Sequence, residues 1–282
     1  MLQLQTAQDL ITLERDIQKY LPQAVQIYGY ILSINRGKLF EYEIAVDSFP
    51  DFSIVMYQSK RKKETNEYPY KCSFFTKDPN KVRPLLMDTN MVEWKRIINF
   101  EGINWSFMDL IQKAACCRNA TLELDGELSY LMMLENPSDM PPQRTDFASR
   151  ISNLHLSHAE LVNRNWKFGG DDTGFRFVEN AILNFPNCCL LDKAGNPVSW
   201  ILTYPYCAMG LLYTVPEHRR KKYAEMLVTT LAKKMQDLGY PVYCTIEKTN
   251  HSSYTLFKKL GFKEVPGFTP MWFISKPDTF ST

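Results

Sequence analysis

The sequence predicts an α/β fold built on a mixed sheet, and three observations predict it. Strand-like and helix-like patterns alternate through both halves of the chain. An apolar strand, Met209 to Val215, stops at Pro216 and passes through a basic turn into an amphipathic helix. Finally, 45% of the residues are hydrophobic and 13% aromatic, which suits a packed core and excludes a disordered chain.

The elements follow in order. Leu10, Leu13, Ile17, Tyr20 and Leu21 recur at helical spacing, so residues 7 to 21 form the first helix. Strands are expected at Val25 to Ile34, Tyr42 to Val46, Ser53 to Gln58 and Lys71 to Phe75. Asn35-Arg36-Gly37 reads as a hairpin turn, and Ser59 to Glu67 as a polar loop. Helices at 79 to 87 and 104 to 117 precede strands at Ala120 to Leu124 and Ser129 to Leu134. Three prolines between Glu135 and Gln143 can continue neither a helix nor a central strand, which marks a linker. The expected domains are residues 1–134, a Pro-rich linker at 135–150, and residues 151–282.

The second half opens with a short strand, Ile151 to Leu156, and a helix from His158 to Trp166 with Ser157 as its N-cap. A helix from Phe175 to Asn184 ends at Pro186, and Cys188 to Leu191 pairs with Pro197 to Tyr204 around Lys193-Ala194-Gly195-Asn196. The strand and helix of the basic turn come next. A strand at Val242 to Glu247, a helix at Ser252 to Leu260 and a strand at Met271 to Ile274 complete the chain. Each half holds a helix and a hairpin near its start, so both read as variants of one α/β unit.

Composition narrows the function classes. A net charge of +2 over 282 residues makes the basic clusters local features and gives no support to nucleic-acid binding. The run Lys60-Arg61-Lys62-Lys63 lacks interleaved aromatics and meets Glu64 at once, so it reads as a solvated loop. Seven cysteines, including the adjacent pairs Cys116-Cys117 and Cys188-Cys189, fit neither a secreted disulfide framework nor a zinc site, and a reducing compartment follows. Cys244, inside a strand pattern, reads as core. No segment is long and apolar enough to span a bilayer, and the first residues lack the layout of a secretory signal. Asp9, Glu14 and Asp16 interrupt any basic presequence face, and Phe280-Ser281-Thr282 matches no simple targeting signal. His155 and His158 have no carboxylate partner in the pattern, and His218 and His251 read as solvated, so no metal site is expected.

The basic turn Arg219-Arg220-Lys221-Lys222-Tyr223-Ala224 carries the chemistry. Backbone N–H groups at such a helix start lack intrahelical partners, and the helix dipole adds positive potential. The turn is therefore a candidate seat for phosphate or pyrophosphate, with a solvated helix start as the alternative. It resembles the pyrophosphate motif Gln/Arg-x-x-Gly-x-Gly/Ala of the GNAT superfamily of acyl-CoA N-acyltransferases. That superfamily's later signature, Asn-x-x-Ala-x-x-Leu-Tyr-x-x-x-Gly-Phe, is matched by Asn250, Ser253, Leu256, Phe257, Gly261 and Phe262. The two occur in order about thirty residues apart with a strand between them, which is the context the motifs require. More narrowly, the chain resembles the glycine N-acyltransferase family. The resemblance rests on Ile27-Tyr28-Gly29, Ile34-Asn35-Arg36-Gly37, Val46 to Phe52, His158 to Asn163, Trp166 to Gly170, Phe185 to Leu191 and Pro197 to Trp200.

The resemblance implies a C-terminal GNAT domain preceded by a GNAT-like N-terminal one. It implies transfer of an acyl group from acyl-CoA, as co-substrate, to glycine or another small amino acid, with no permanently bound cofactor. It also implies a mitochondrial location, and a monomer is expected. Arg219 to Ala224 would hold the pyrophosphate and Val215 the pantetheine, with Asn250, Ser253 and Phe257 beside the coenzyme. Three positions depart from the family. Ala208 stands where its catalytic Glu is expected, which leaves Glu247 and Glu217 as candidate bases, each with a solvated or helix-capping role as the plainer reading. Phe257 replaces a Tyr that protonates the departing thiolate, and Lys222 replaces a Gly. A CoA-binding protein with weak or no catalysis is the alternative these departures permit. Transfer to protein lysine is disfavoured, since no acidic groove is evident.

Overall fold

The computed structural model describes residues 1–60, 70–88, 91–136, 139–142 and 148–278. Arg61 to Lys63, most of the expected 59–67 loop, part of the 135–150 linker and Phe280 to Thr282 lie outside the described residues. The chain divides into two compact units. The first comprises Met1–Leu131, Glu247–Thr249 and Val265–Thr282, and the second Met132–Ile246 and Asn250–Glu264.

The first unit starts with strand β1 (Leu2–Leu4) and helix α1 (Ala7–Ile17), whose N-cap Thr6 accepts from the Asp9 N–H at 3.1 Å. The segment expected as a strand at 25–34 is instead helix α2 (Val25–Asn35), with Val25 to Ser33 all buried. A helix apolar on every face shows no 3.6-residue period, so its Ile, Val and Tyr content imitates a strand. The expected hairpin turn is the end of that helix. Lys38 N–H donates to Ser33 O and Gly37 N–H to Ile34 O, with Gly37 at φ +65°, which is a Schellman closure.

Strands β2 (Tyr42–Val46), β3 (Ile54–Ser59) and β4 (Tyr70–Thr76) follow, then helix α3 (Val82–Met87), β5 (Ile98–Asn104), α4 (Met108–Cys117) and β6 (Ala120–Leu124). The second sheet draws on β7 (Ser129–Met133), β8 (Ile151–Ser152), β9 (Cys188–Leu191), β10 (Pro197–Thr203), β11 (Met209–Thr214), β12 (Tyr243–Glu247) and β13 (Lys263–Glu264). Its helices are α5 (Ala159–Arg164), α6 (Asp172–Asn184), α7 (Tyr223–Asp237) and α8 (His251–Lys259). The last strand, β14 (Pro270–Pro277), closes the first sheet. Ser157 is not an N-cap. It lies in a 3-10 turn, Leu156–His158, whose start is closed by His155 N–H donating to His158 Nδ1 at 3.0 Å.

The two sheets share one order. The first reads β1-β2-β3-β4-β5-β14-β6 and the second, from its other edge, β8-β9-β10-β11-β12-β7-β13. In both, the first four strands are antiparallel and the fourth and fifth parallel. In both, the sixth strand in the order comes from the opposite half of the sequence. The expectation of one α/β unit used twice is thus met at the level of strand order.

Candidate acyl-CoA site

The site forms in the second unit where β11 and β12 part. These parallel strands share one register pair, Met209 with Cys244. Against β10 the pairs Trp200–Tyr213 and Leu202–Gly210 enclose one extra residue on β11, and Leu211 sits at φ +50°. That bulge bends β11 and increases its twist, so it leaves β12 after a single pair. In the first unit the corresponding strands β4 and β5 are paired over three positions, Tyr70–Ile98, Lys71–Asn99 and Cys72–Phe100. There the Lys71 ammonium lies 2.8 Å from the buried Glu101 carboxylate, Tyr30 donates to the same carboxylate, and Gln26 Nε2 donates to Glu101 O at 3.0 Å.

Beyond β11 the chain makes a 3-10 turn, Pro216–His218, and reaches α7 through two left-handed residues, Arg220 (φ +62°) and Lys222 (φ +64°). Lys222 is the N-cap of α7, and its side chain makes no capping hydrogen bond. The residue standing in place of glycine therefore adopts the conformation glycine favours, and the first amides of a 15-residue helix keep no cap from their own N-cap residue. In the first unit Asp78 Oδ1 accepts from Asn80 N–H at 3.0 Å and caps a 3-10 turn, Pro79–Lys81, that leads into the six-residue α3.

Other sequence-predicted residues divide by role. Arg219 is pinned to the end of β11: its Nε donates to Thr214 O at 3.0 Å and its guanidinium lies 5.7 Å from the Tyr213 ring centre. Lys221 Nζ donates to Glu217 O at 3.2 Å. Arg220 and Lys222 are exposed, whereas Tyr223 is buried beside the His218 ring and under the Arg150 guanidinium, with Ala224 next in the first turn of α7. Val215 uses its N–H on Val198 O and accepts from His218 N–H, so only a second carbonyl lone pair is left to offer a ligand. Asn250 caps α8, accepting from Ser253 N–H at 3.1 Å. Phe257 is a core residue, 3% exposed and packed edge-on against Phe262.

Ala208 and the two candidate bases sit in different local settings. Ala208 is fully buried in a turn, its carbonyl accepting from Tyr204 N–H at 2.8 Å. Glu217 is exposed in the 3-10 turn ahead of α7, and the acidic residue in the first turn of α7 is Glu225, paired with Lys259 at 2.7 Å. Glu247 ends β12 with its carboxylate 3.8 Å from where a Cβ on Gly126 would stand. Burial pushes the Cys244 thiol well up and Cys188 up to about 12, so both are protonated core groups. All seven cysteines are free. Among the described residues no three His, Cys, Asp or Glu side chains are placed to share a metal, and no helix is long and apolar enough to cross a membrane.

Sequence reasoning missed Tyr204 and the Leu211 bulge. A Cβ on Gly210 would stand 2.0 Å from Tyr204 Cε2, so Gly210 exists to let that ring touch the strand. An isolated glycine inside a strand pattern was the available signal.

A bulged fourth strand parting from a parallel fifth, with a basic helix start beyond it whose N-cap makes no side-chain capping bond, is the arrangement of a GNAT fold. Comparison with solved structures agrees: an X-ray structure of a Drosophila protein matches with a TM-score of 0.79 at 14% identity, covering 98% of each chain. A tandem GNAT protein from the clavulanic acid biosynthesis pathway matches at 0.55 with 10% identity, again over 98% of both chains. In sequence, residues 1–186 match the family model "Aralkyl acyl-CoA:amino acid N-acyltransferase", and residues 188–275 match that family's C-terminal region. Human glycine N-acyltransferase is 30% identical, covering 91% of this chain and 94% of its own length, and a mouse glycine N-acyltransferase-like protein is 28% identical over 89% and 91%. The chain belongs to the aralkyl acyl-CoA:amino acid N-acyltransferase family.

Proposed function

We propose that the second half of the chain, residues 151–282, binds acyl-CoA and transfers its acyl group to the amino group of glycine or a similarly small amino acid. The observation that carries the reading is the parting of β11 and β12 after one register pair, beside a helix start whose N-cap makes no capping bond. The pyrophosphate would rest on the amides at the start of α7, with Arg220 and Lys222 adding charge from solvent. The thioester would lie in the gap, where strand amides freed from the ladder can donate to the carbonyl oxygen as it becomes an oxyanion. Asn250 and Ser253 would set the α8 start beside the coenzyme, and Phe257 would form a buried wall behind it. The acceptor ammonium gives up a proton, its nitrogen attacks the carbonyl carbon, and the C–S bond breaks. The second nitrogen proton ends on the CoA thiolate, giving N-acylglycine and free CoA.

Glu247 remains our candidate base, with Glu217 behind it. The first unit, with three register pairs between β4 and β5 against one between β11 and β12, would support the fold. We place the protein in mitochondria on family resemblance, in amino-acid conjugation, and as a monomer. The burial of Ala208 and Phe257 favours one competing reading, CoA binding without turnover. Purified protein is incubated with several acyl-CoAs and glycine while thiol release is followed. Release dependent on glycine supports transfer, whereas CoA binding without release over any small amino acid would leave the binding-only reading. Given turnover, Glu247→Gln should lower the rate steeply at neutral pH and little at high pH, where the amine is already free. Equal rates at neutral pH would remove Glu247 as base.

A further inference from the structure

We propose that a row of aromatic side chains beside the β11 bulge is the wall of the acyl subsite, that Tyr204 is its discriminating residue, and that it accepts a linear apolar acyl chain. This rests on the reading of the β11–β12 gap as the acyl-CoA site. Tyr204 touches β11 at Gly210, next to the bulged Leu211 and one residue beyond the last pair with β12. Its ring thus stands where the strands part, which is where the thioester carbonyl is placed. From Tyr204 the row runs outward to Phe177, 5.8 Å between ring centres, then to Trp166 at 5.0 Å and Phe168 at 5.9 Å. On its other side Tyr206 stacks on Tyr204 at 5.1 Å with the planes 7° apart. Tyr204, Phe177 and Trp166 pack, only partly buried, against the same core cluster that includes Leu211.

The ends of the row differ. Tyr206 is 8% exposed and Phe168 55%. A row closed at both ends would fit a compact ring and reject anything longer. One that opens to solvent sets no length limit and rewards each further CH2 that lies along it. Full burial of a CH2 corresponds to about a fourfold gain in affinity, and burial on one side to about twofold. Tyr204 and Gly210 act together here, because any side chain at 210 would drive the ring away from the strand.

The test is calorimetric binding of CoA and of acetyl-, butanoyl-, octanoyl- and benzoyl-CoA to the full chain without any amine. We expect affinity to rise about twofold per CH2 from acetyl to octanoyl. Tyr204→Ala and Trp166→Ala should flatten that slope while CoA itself binds as before, which also reports that the variants are folded. Tyr204→Leu, which keeps apolar bulk, should retain part of the slope. Equal affinity for acetyl- and octanoyl-CoA, an undiminished slope in Tyr204→Ala, or benzoyl-CoA binding tighter than every linear chain would each overturn the proposal. Failure of CoA to bind the wild-type protein would instead overturn the site reading beneath it.

Discussion

Replacing Lys222 by glycine should make the protein more stable while weakening its hold on CoA, and the two effects have separate causes. Lys222 sits at φ +64°, a conformation that raises an L-residue by about 1–2 kcal/mol. Glycine removes that strain, but it gives the unfolded chain extra freedom worth about 0.5–1 kcal/mol. The net gain is about 0–1.5 kcal/mol, or up to roughly 6 °C in the melting temperature of a domain of this size. In binding, an exposed ammonium near a diphosphate contributes about 0.2–1 kcal/mol, so CoA affinity should fall up to about fivefold, and less so at high salt. Lys222→Ala separates the effects, since alanine loses the same charge but keeps a Cβ and its strain. Thermal unfolding and CoA titration of the two variants together form the assay. If Lys222→Gly melts no higher than Lys222→Ala, the left-handed conformation at 222 is refuted.

Three further expectations follow from the geometry. Gly210→Ala places a Cβ 2.0 Å from the Tyr204 ring, and overpacking should destabilise by about 1–3 kcal/mol, read by denaturant unfolding. Lys71→Met leaves the buried Glu101 with Tyr30 but without its cation. The loss should be about 1–3 kcal/mol, below the 3–5 of a fully buried pair, because Lys71 is 34% exposed. Burial pulls the Lys71 pKa down but Glu101 outweighs it, so the folded value lies above the ordinary 10.5. The pair's stabilisation is therefore constant below about pH 10.5 and fades as the pH climbs through the raised value, a fading that unfolding curves of Lys71→Met should lack.

The parts of the fold legible in the sequence were those whose pattern is local. Helix α7, half-buried and following a strand that ends at a proline, has an amphipathic face and a basic start within a few residues. Helix α2 was misread because burial on every side erases that face. Strand β5 was missed because Glu101 and Gly102 interrupt its apolar run, and the groups that accommodate them, Lys71 and Gln26, come from far along the chain. At the site, the phosphate turn was readable from residue types, while its two left-handed residues were not, since neither Arg220 nor Lys222 is a glycine. In the sequence Glu247 stands out only by its place at a strand end. Its surroundings depend on the Gly126 turn, about 120 residues earlier, which no spacing rule reaches.

The placement of β14 has a consequence for how the protein is made. Strands β5 and β6 flank a strand that lies near the far end of the sequence, Pro270–Pro277. At ribosomal rates of about 5–20 residues per second, roughly 7–30 s separate the synthesis of β6 from that of its partner. Through that interval the nascent first sheet carries two unpaired edges, the kind of surface that invites pairing with other chains. Synthesis of β14, and not the emergence of the first half of the chain, is what lets the N-terminal sheet close.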